Sequence, residues 1–392
     1  MRYLRWRGAR YAVPAAIVAA IAAGAFVPTI SGASSPPDLP AQSAEQLLAD
    51  VAVAKVPPLT GAITWAPNLG LNDLSALEEG SGQGGGSSSG FDPLALLSGN
   101  WQVNVWLDGG YAEHLALLEP SAQELDLIRN GNQAWLWDSS NQSVLHVVGP
   151  SSASQSGEGG HSPNAGTPTI TPDQFASSLL SHLSPSTSVT TGTPLYVAGE
   201  PAYQLVVSPK DAPGSTIDQI QIDIGATGSL LGVPLQVSVY ATGQCQPGQS
   251  CSPALQLGFT GQIHLGTPPA SELTFTPPPG ATVVTRALGG GNGPNTTGGW
   301  FAYAPLATNG APGGLGKSGS GWATVISGQA AQLYANAEAG PLSEVTTVVT
   351  VDGQPARLFS TSLLNVLLMP SGRAYVGFVT PGVLEAAASS SS

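Results

Sequence analysis

Gln219-Ile220-Gln221-Ile222-Asp223-Ile224 sets an isoleucine at every second position with a polar residue before each one. Side chains along a strand alternate between two faces, so this stretch buries one face and wets the other. Leu235, Val237 and Val239 repeat the pattern against Gln236, Ser238 and Tyr240. Leu255, Leu257 and Phe259 repeat it against Gln256, Gly258 and Thr260, and Tyr203, Leu205 and Val207 begin the series. From Tyr196 to Leu265 the chain therefore predicts an antiparallel meander with a single apolar face. That face must be covered. Permanent packing makes it an ordinary core, whereas a removable cover leaves a cavity for an apolar guest.

Upstream the same logic continues. Gly61 to Trp65 reads as a first strand, and Trp101, Val103, Val105 and Leu107 alternate with Gln102, Asn104 and Trp106. Ala112 to Leu118, Leu125 to Arg129, Ala134 to Trp137 and Val144 to Val148 follow, with Asn130-Gly131 as a hairpin turn. Leu273 to Phe275 reads as the last rung, stopped by Pro277-Pro278-Pro279-Gly280. About eleven strands are more than a flat sheet holds without curling. The expected fold is mainly β with a few α-helices: a curved antiparallel sheet forming an unclosed half barrel, with helices on its concave side. Ser43 and Gln46 form a capping box ahead of Leu47, Leu48 and Val51. Thr171-Pro172-Asp173-Gln174 opens a second helix whose Phe175, Leu179 and Leu183 share a face, making it a second cover.

The flanks set the domain organisation. Arg2, Arg5, Arg7 and Arg10 precede an uncharged run from Tyr11 to Ile30 and then Ser31-Gly32-Ala33, so residues 1–33 read as a signal peptide or an uncleaved signal anchor. Residues 41–286 form the half barrel. Residues 287–321, rich in Gly and Pro, read as a linker, and 322–388 as a small α+β module. In that module, strands are expected at Trp322 to Ile326, Val345 to Val351, Ala356 to Ser360, Leu363 to Leu368 and Ala374 to Val379. A helical stretch at Gln329 to Ala339 and a last helix capped by Thr380-Pro381 complete it, and a unit this small is expected to dock on the first domain. Charged residues make up only 9% of the 392, while Gly numbers 50 and Pro 34, a turn-rich composition. The net charge is −13 even with four of the eleven basic residues in the first ten positions, which excludes nucleic acid as a partner.

Patterns that carry chemistry are thin. Gly86-Ser87-Ser88-Ser89-Gly90 and the Gly80, Gly82, Gly85 spacing lie in a Gly and Ser insertion without a strand before or a helix after them. Ala311 to Ser318 is a relaxed phosphate-loop match with equally unsuitable flanks. The histidines at 114, 146, 161, 182 and 264 show no metal-ligand spacing, and Glu124, Asp126, Asp218 and Asp223 read as solvated carboxylates. Trp101, Trp106, Trp135 and Trp137 either line a pocket or fill a β core. Cys245 and Cys251 read as a disulfide closing a hairpin in an exported chain. No catalytic residue, metal or cofactor is expected, and the chain reads as a non-enzyme.

The order of signals resembles a known family. The Thr171-Pro172-Asp173-Gln174-Phe175 helix is followed by Gly199-Glu200-Pro201-Ala202-Tyr203-Gln204-Leu205-Val206-Val207-Ser208-Pro209-Lys210-Asp211. Then come Gly232-Val233-Pro234-Leu235-Gln236-Val237-Ser238-Val239-Tyr240 and Phe275-Thr276-Pro277-Pro278-Pro279-Gly280-Ala281. From Ala41 to Val284 the chain resembles LolA-like exported lipoprotein carriers, in their high-GC Gram-positive version, and the half-barrel regulators of the RseB/MucB type. The resemblance implies an extracytoplasmic protein whose apolar concavity accepts lipid or lipoprotein acyl chains. Leu205, Val207, Ile222, Val237, Val239, Leu257 and Phe259 are the candidate lining, with Phe175 and Leu179 on the cover. The alternative is a regulatory module that senses an envelope signal and holds a membrane protein partner such as an anti-sigma factor.

Overall fold

The computed structural model describes residues 35–71, 99–109, 112–118, 124–149, 186–244, 251–287 and 316–390. Thirteen of the described strands join in one sheet: β1 (Leu59–Pro67), β2 (Trp101–Leu107), β3 (Ala112–Leu118), β4 (Glu124–Asn130), β5 (Gln133–Asp138), β6 (Ser143–Val148), β7 (Thr187–Thr191), β8 (Leu195–Val197), β9 (Glu200–Pro209), β10 (Ile217–Gly225), β11 (Pro234–Ala241), β12 (Leu255–Leu265) and β13 (Thr282–Ala287). Their order is β13-β6-β5-β4-β3-β2-β1-β12-β11-β10-β9-β7, with β8 also on β9, so the sheet ends in two edges and does not close into a barrel. The mainly β, unclosed fold expected from the alternation is present.

Three features differ from the expectation. Leu273 to Phe275 is not a rung: Ala270–Leu273 is a single 3-10 turn, and the Pro-rich stretch after it carries no ladder bonds of its own. Proline lacks the N–H a ladder needs. The strand instead comes later, as β13, and it pairs parallel with β6, Val283 opposite Val144 and Thr285 opposite His146. The hairpin between β4 and β5 turns one residue later than Asn130-Gly131: Asn130 pairs with Gln133, and Gly131 at φ 60 leads the two-residue loop.

One helix is described beside this sheet. α1 (Ala44–Val53) has its capping box intact, the Ser43 amide donating to Gln46 Oε1 at 2.8 Å and the Gln46 amide to Ser43 Oγ at 3.3 Å. Its Leu47 is fully buried against Tyr203, Leu205 and Ile224 of β9 and β10. The Tyr203 hydroxyl donates to the Pro40 carbonyl at 2.9 Å and ties the approach to the helix onto the same strand.

The carboxy-terminal sheet has the order β14 (Gly316–Ser318), β15 (Val325–Gln329), β19 (Arg373–Gly377), β18 (Asn365–Leu368), β17 (Gln354–Ser360), β16 (Thr346–Val351). Gly316–Ser318 lies inside the stretch read as linker, and Trp322 sits in a 3-10 turn rather than a strand. α2 (Ala331–Ala339) covers one face, with Ala337 against Leu368 and Ala374. α3 (Pro381–Ser389) covers the other, with Leu384, Ala387 and Ala388 against Leu358, Leu367 and Tyr375. Pro381 begins α3 as expected, but the Thr380 side chain makes no capping bond.

The two sheets belong to one compact unit spanning Pro37–Ser392. Leu363 is buried with Leu69, Ile217, Ala241 and Ala254 of the large sheet and its connections. Backbone bonds seal the seam: Thr216 to Phe378 at 3.0 Å, Thr380 to Gly214 at 2.7 Å and Ser362 to Leu69 at 3.0 Å. The Thr216 hydroxyl donates to the Leu363 carbonyl, and the Trp322 indole N–H to Thr187 Oγ1 at 2.9 Å.

α1 reaches the sheet only because the β10–β11 turn has no side chain at Gly232. That residue is at φ 78, and a Cβ there would run into the Asp50 carbonyl in the last turn of α1. Gly232→Ala is expected to destabilise the protein by more than about 1 kcal/mol, combining left-handed strain with displacement of the helix. Urea unfolding checks this; an unchanged midpoint would mean that α1 does not rest against this turn.

Candidate binding face

The register defines the two faces of the large sheet residue by residue. Leu205 lies opposite Ile222, Ile222 opposite Val237, Val237 opposite Leu257, and Leu257 opposite Trp65. The next row runs Val207, Ile220, Val239, Leu255. Phe259 lies opposite Ile63, and Ile63 opposite Val103. The face continues through Leu117, Leu125 and, one row over, Leu115, Leu127, Leu136 and Leu145. The seven strand residues expected to line a cavity thus share one face, and that face stays apolar from β9 to β6. Phe175 and Leu179, the expected cover, lie outside the described residues.

Within the face the seven have different roles. Leu205, 2% exposed, is packed under α1, and Phe259, 9% exposed, is packed with Leu59, Val105, Leu235 and Ile263. These two are structural core. A Cβ on Gly61 would come within 3.2 Å of the Phe259 ring, so the glycine makes the room that the ring occupies. Val207, Ile222, Val237, Val239 and Leu257 are only half-buried. Val207 and Ile222 pack against the cluster under α1 and Val239 against the cluster at Leu363, which leaves Val237 and Leu257 half-buried outside the closed clusters of the described residues. Val103, Leu115, Leu117, Leu125, Leu127, Leu136 and Leu145 are half-buried as well.

The opposite face is not uniformly wet, contrary to the simple alternation. Over β9 to β11 it carries a hydrogen-bonded amide ladder around Asp223, which is 1% exposed. Gln204 Nε2 donates to Asp223 Oδ1 at 3.0 Å and Gln236 Nε2 to Asp223 Oδ2 at 3.0 Å. Gln204 also donates to Gln221 Oε1 at 3.2 Å, which accepts from the Tyr240 hydroxyl at 3.2 Å. Asp223 is therefore not the solvated carboxylate that its polar position suggested: the glutamines beside it in register close over it. Burial pushes its carboxyl above the ordinary Asp range, opposed by the two glutamine donors. Burial and then the charge of Asp223 raise the Tyr240 hydroxyl.

Over β2 to β6 the same face carries a transverse row of Trp106, His114, Ile128, Trp135 and His146, each opposite the next. Trp106 stacks on His114 with ring centroids 4.6 Å apart, and Trp135 on His146 at 3.5 Å. Phe275, from the stretch expected to be a strand, tilts against Trp135 and Trp137, and Asn130 Nδ2 donates to the Leu273 carbonyl at 3.2 Å. The post-β12 segment is thus a strap over this face, bordering a shallow cleft of about 350 Å³ lined by Ile128, Asn130, Gln133, Trp135 and residues 273–275. The four tryptophans do not share one pocket, since Trp101 faces Trp65 on the apolar side. Asp126 is buried too, 3.4 Å from His114 Nε2, and burial followed by repulsion from Asp126 raises Glu124, with His114 acting against it. Neither Asp126 nor Glu124 is the freely solvated group expected.

Among the described residues no group of three or more His, Cys, Asp or Glu could hold a metal ion, and no helix is long and apolar enough to cross a membrane. Gly86 to Gly90 lies outside the described residues. Of the phosphate-loop match only Gly316 to Ser318 is described, as the edge strand β14 rather than a loop opening a helix. Cys251 is half-buried ahead of β12, and Cys245 lies outside the described residues.

No family model matches the chain, and no curated protein matches it. Among solved structures it is similar to the MucA/MucB complex of Pseudomonas aeruginosa, at 14% identity over 88% of this chain and 96% of that one, TM-score 0.38. A structure of MucB with MucA(peri) matches at 15% identity over 87% and 94%, TM-score 0.39. An uncharacterized conserved protein from Thermus thermophilus matches at 9% over 62% and 99%, TM-score 0.33. Likenesses this distant carry no argument about ligand or partner.

The buried Asp223 carries a pH signature. Because its folded-state pKa is raised, the stabilisation linked to its protonation is complete below the unfolded-state pKa and is lost as pH rises through the folded-state value. Asp223→Asn keeps the neutral shape, with the Gln236 amide turned to present its oxygen. It is expected to melt above the wild type at pH 7, the gap closing as pH falls below the ordinary carboxylate range. Thermal melts across pH check this, and a gap independent of pH would contradict it.

Proposed function

We propose that the protein is a non-enzymatic extracytoplasmic binding protein that holds lipid or lipoprotein acyl chains against the apolar face of the large sheet. The observation that carries this reading is the apolar face around Val237 and Leu257, half-buried and outside the closed clusters, and its continuation through the half-buried Leu117, Leu125, Leu127, Leu136 and Leu145. The face crosses ten strands from β9 to β6, roughly 40 Å at about 4.8 Å spacing, with closed clusters over β9 and β10 and over β1, β2, β11 and β12. Each methylene taken from water there contributes about 0.8 kcal/mol, so a long chain gains enough to bind without any charged contact. Leu205 and Phe259 support the floor, and Phe175 and Leu179 belong to the cover. The export segment at 1–33 delivers the chain across the membrane, where Cys245 and Cys251 pair as a staple. The resemblance to LolA-like carriers agrees with this reading.

Native mass spectrometry after gentle extraction, with titration by a fluorescent fatty acid, tests the proposal. Bound mass in the lipid range and saturable fluorescence are expected. A ligand-free protein that also ignores the fatty acid overturns the reading. Val237→Thr, which exchanges a methyl for a hydroxyl on this face, is expected to weaken fatty-acid binding about three- to tenfold at unchanged fold.

A second reading is a regulatory module holding a membrane protein partner. It draws on the firm docking of the carboxy-terminal sheet, which would carry a change at the large sheet to a second surface. Affinity capture with the full chain separates the two: recovery of one membrane protein with no bound lipid favours regulation.

A further inference from the structure

An unpaired strand edge is a template for another strand, and folded proteins protect such edges with charge, proline, bulges or shortness. Among the described residues the large sheet ends in β13 and in β7 with the three-residue β8 beside it, and the small sheet in β14 and β16. β14 has three residues and carries Lys317, β13 carries Arg286, and β7 is tied at Thr187 by the Trp322 indole. β16 has no such protection. Its six residues read Thr-Thr-Val-Val-Thr-Val, without charge or proline, and they pair with β17 in unbroken register from Thr346 opposite Phe359 to Val351 opposite Gln354. Asp352 and Gly353, at φ 49 and 78, close the tight hairpin between β16 and β17. Among the described residues nothing pairs with the outer edge of β16, and Val348 is 61% exposed beside it, the highest value among the exposed large apolar side chains.

We propose that the outer edge of β16 is a self-association edge, pairing antiparallel with β16 of a second copy of this chain to join the two carboxy-terminal sheets. The sequence of the strand favours its own copy as occupant. Residues directly opposite in an antiparallel pair share a face, so a two-fold mate is centred on a residue rather than between two. Centred on Val349, it sets Val348 opposite Thr350 and Thr347 opposite Val351, with no charged residue of either strand in the pairing. β-branched residues packed side by side across a strand pair are favourable cross-strand partners. α2 and α3 lie over the faces of the sheet rather than beyond β16, so the helices of the two copies continue as layers on either side.

Sedimentation velocity on the full chain after removal of residues 1–33 tests this, as a dilution series. A concentration-dependent dimer is expected. Val348→Lys sets two like charges near the axis and is expected to raise the dimer dissociation constant about tenfold or more, with an unchanged melting point because Val348 is exposed. Thr350→Lys, on the same edge, provides a second variant and is expected to act in the same direction. A wild type that stays monomeric throughout, or a dimer untouched by both lysines, overturns the proposal. Neither outcome bears on fatty-acid binding at the large sheet, so the two readings stand or fall separately.

Discussion

An unclosed sheet with one continuous apolar face has to hide that face from water, and the organisation of the large sheet follows from how it does so. At about 25 cal/mol for each square ångström left wet, an uncovered face would erase the small margin by which a domain is stable. The chain meets the demand unevenly. α1 seals the face over β9 and β10 through Leu47, and Leu59, Val105, Leu235, Phe259 and Ile263 pack into a closed cluster across β1, β2, β11 and β12. Val237 and Leu257, and the leucines onward to β6, stay half-buried outside these clusters. That unfinished part is where the proposed acyl chain would lie.

The reverse face shows what the chain does where no guest is invoked. Over β9 to β11 long amides bond to one another and to Asp223, whose carboxylate is dry but fully served by two donors. Over β2 to β6 tryptophan and histidine rings stack in a transverse row, and the strap through Leu273 and Phe275 fastens on top. The amide ladder is closed, whereas the ring row leaves a cleft beside Trp135 and Phe275 and keeps His114 Nδ1, His114 Nε2 and Asp126 Oδ1 buried without a hydrogen-bond partner among the described residues.

Much of this was legible in the sequence because period-2 alternation is a strong local signal. The strands around Ile222, Val237 and Leu257 stand where the pattern put them, and pairing alone brings Leu205, Val207, Val239 and Phe259 onto their face. The Ser43 capping box is equally local. What escaped was set by distant partners. β13 is a strand because β6 offers it an edge, so no alternation marks Thr282–Ala287. Leu273 and Phe275 alternate like strand residues but serve as anchors for a strap across Asn130 and Trp135. Asp223 and Asp126 looked solvated because burial by glutamines or by a histidine neighbour depends on register, which local sequence does not state. The division of the candidate lining into core residues and half-buried ones was invisible for the same reason.

The claim at the centre of the proposal is that hydrocarbon sits against the half-buried part of the apolar face around Val237 and Leu257. A fatty acid carrying a photoreactive group near its methyl end, irradiated with the full chain and followed by peptide mapping, measures this directly. The account predicts saturable labelling confined to peptides that span residues 203–241 and 255–259, abolished by excess unlabelled fatty acid. Labelling dominated by the Trp135 and Phe275 side of the sheet, or spread without saturation, would contradict it.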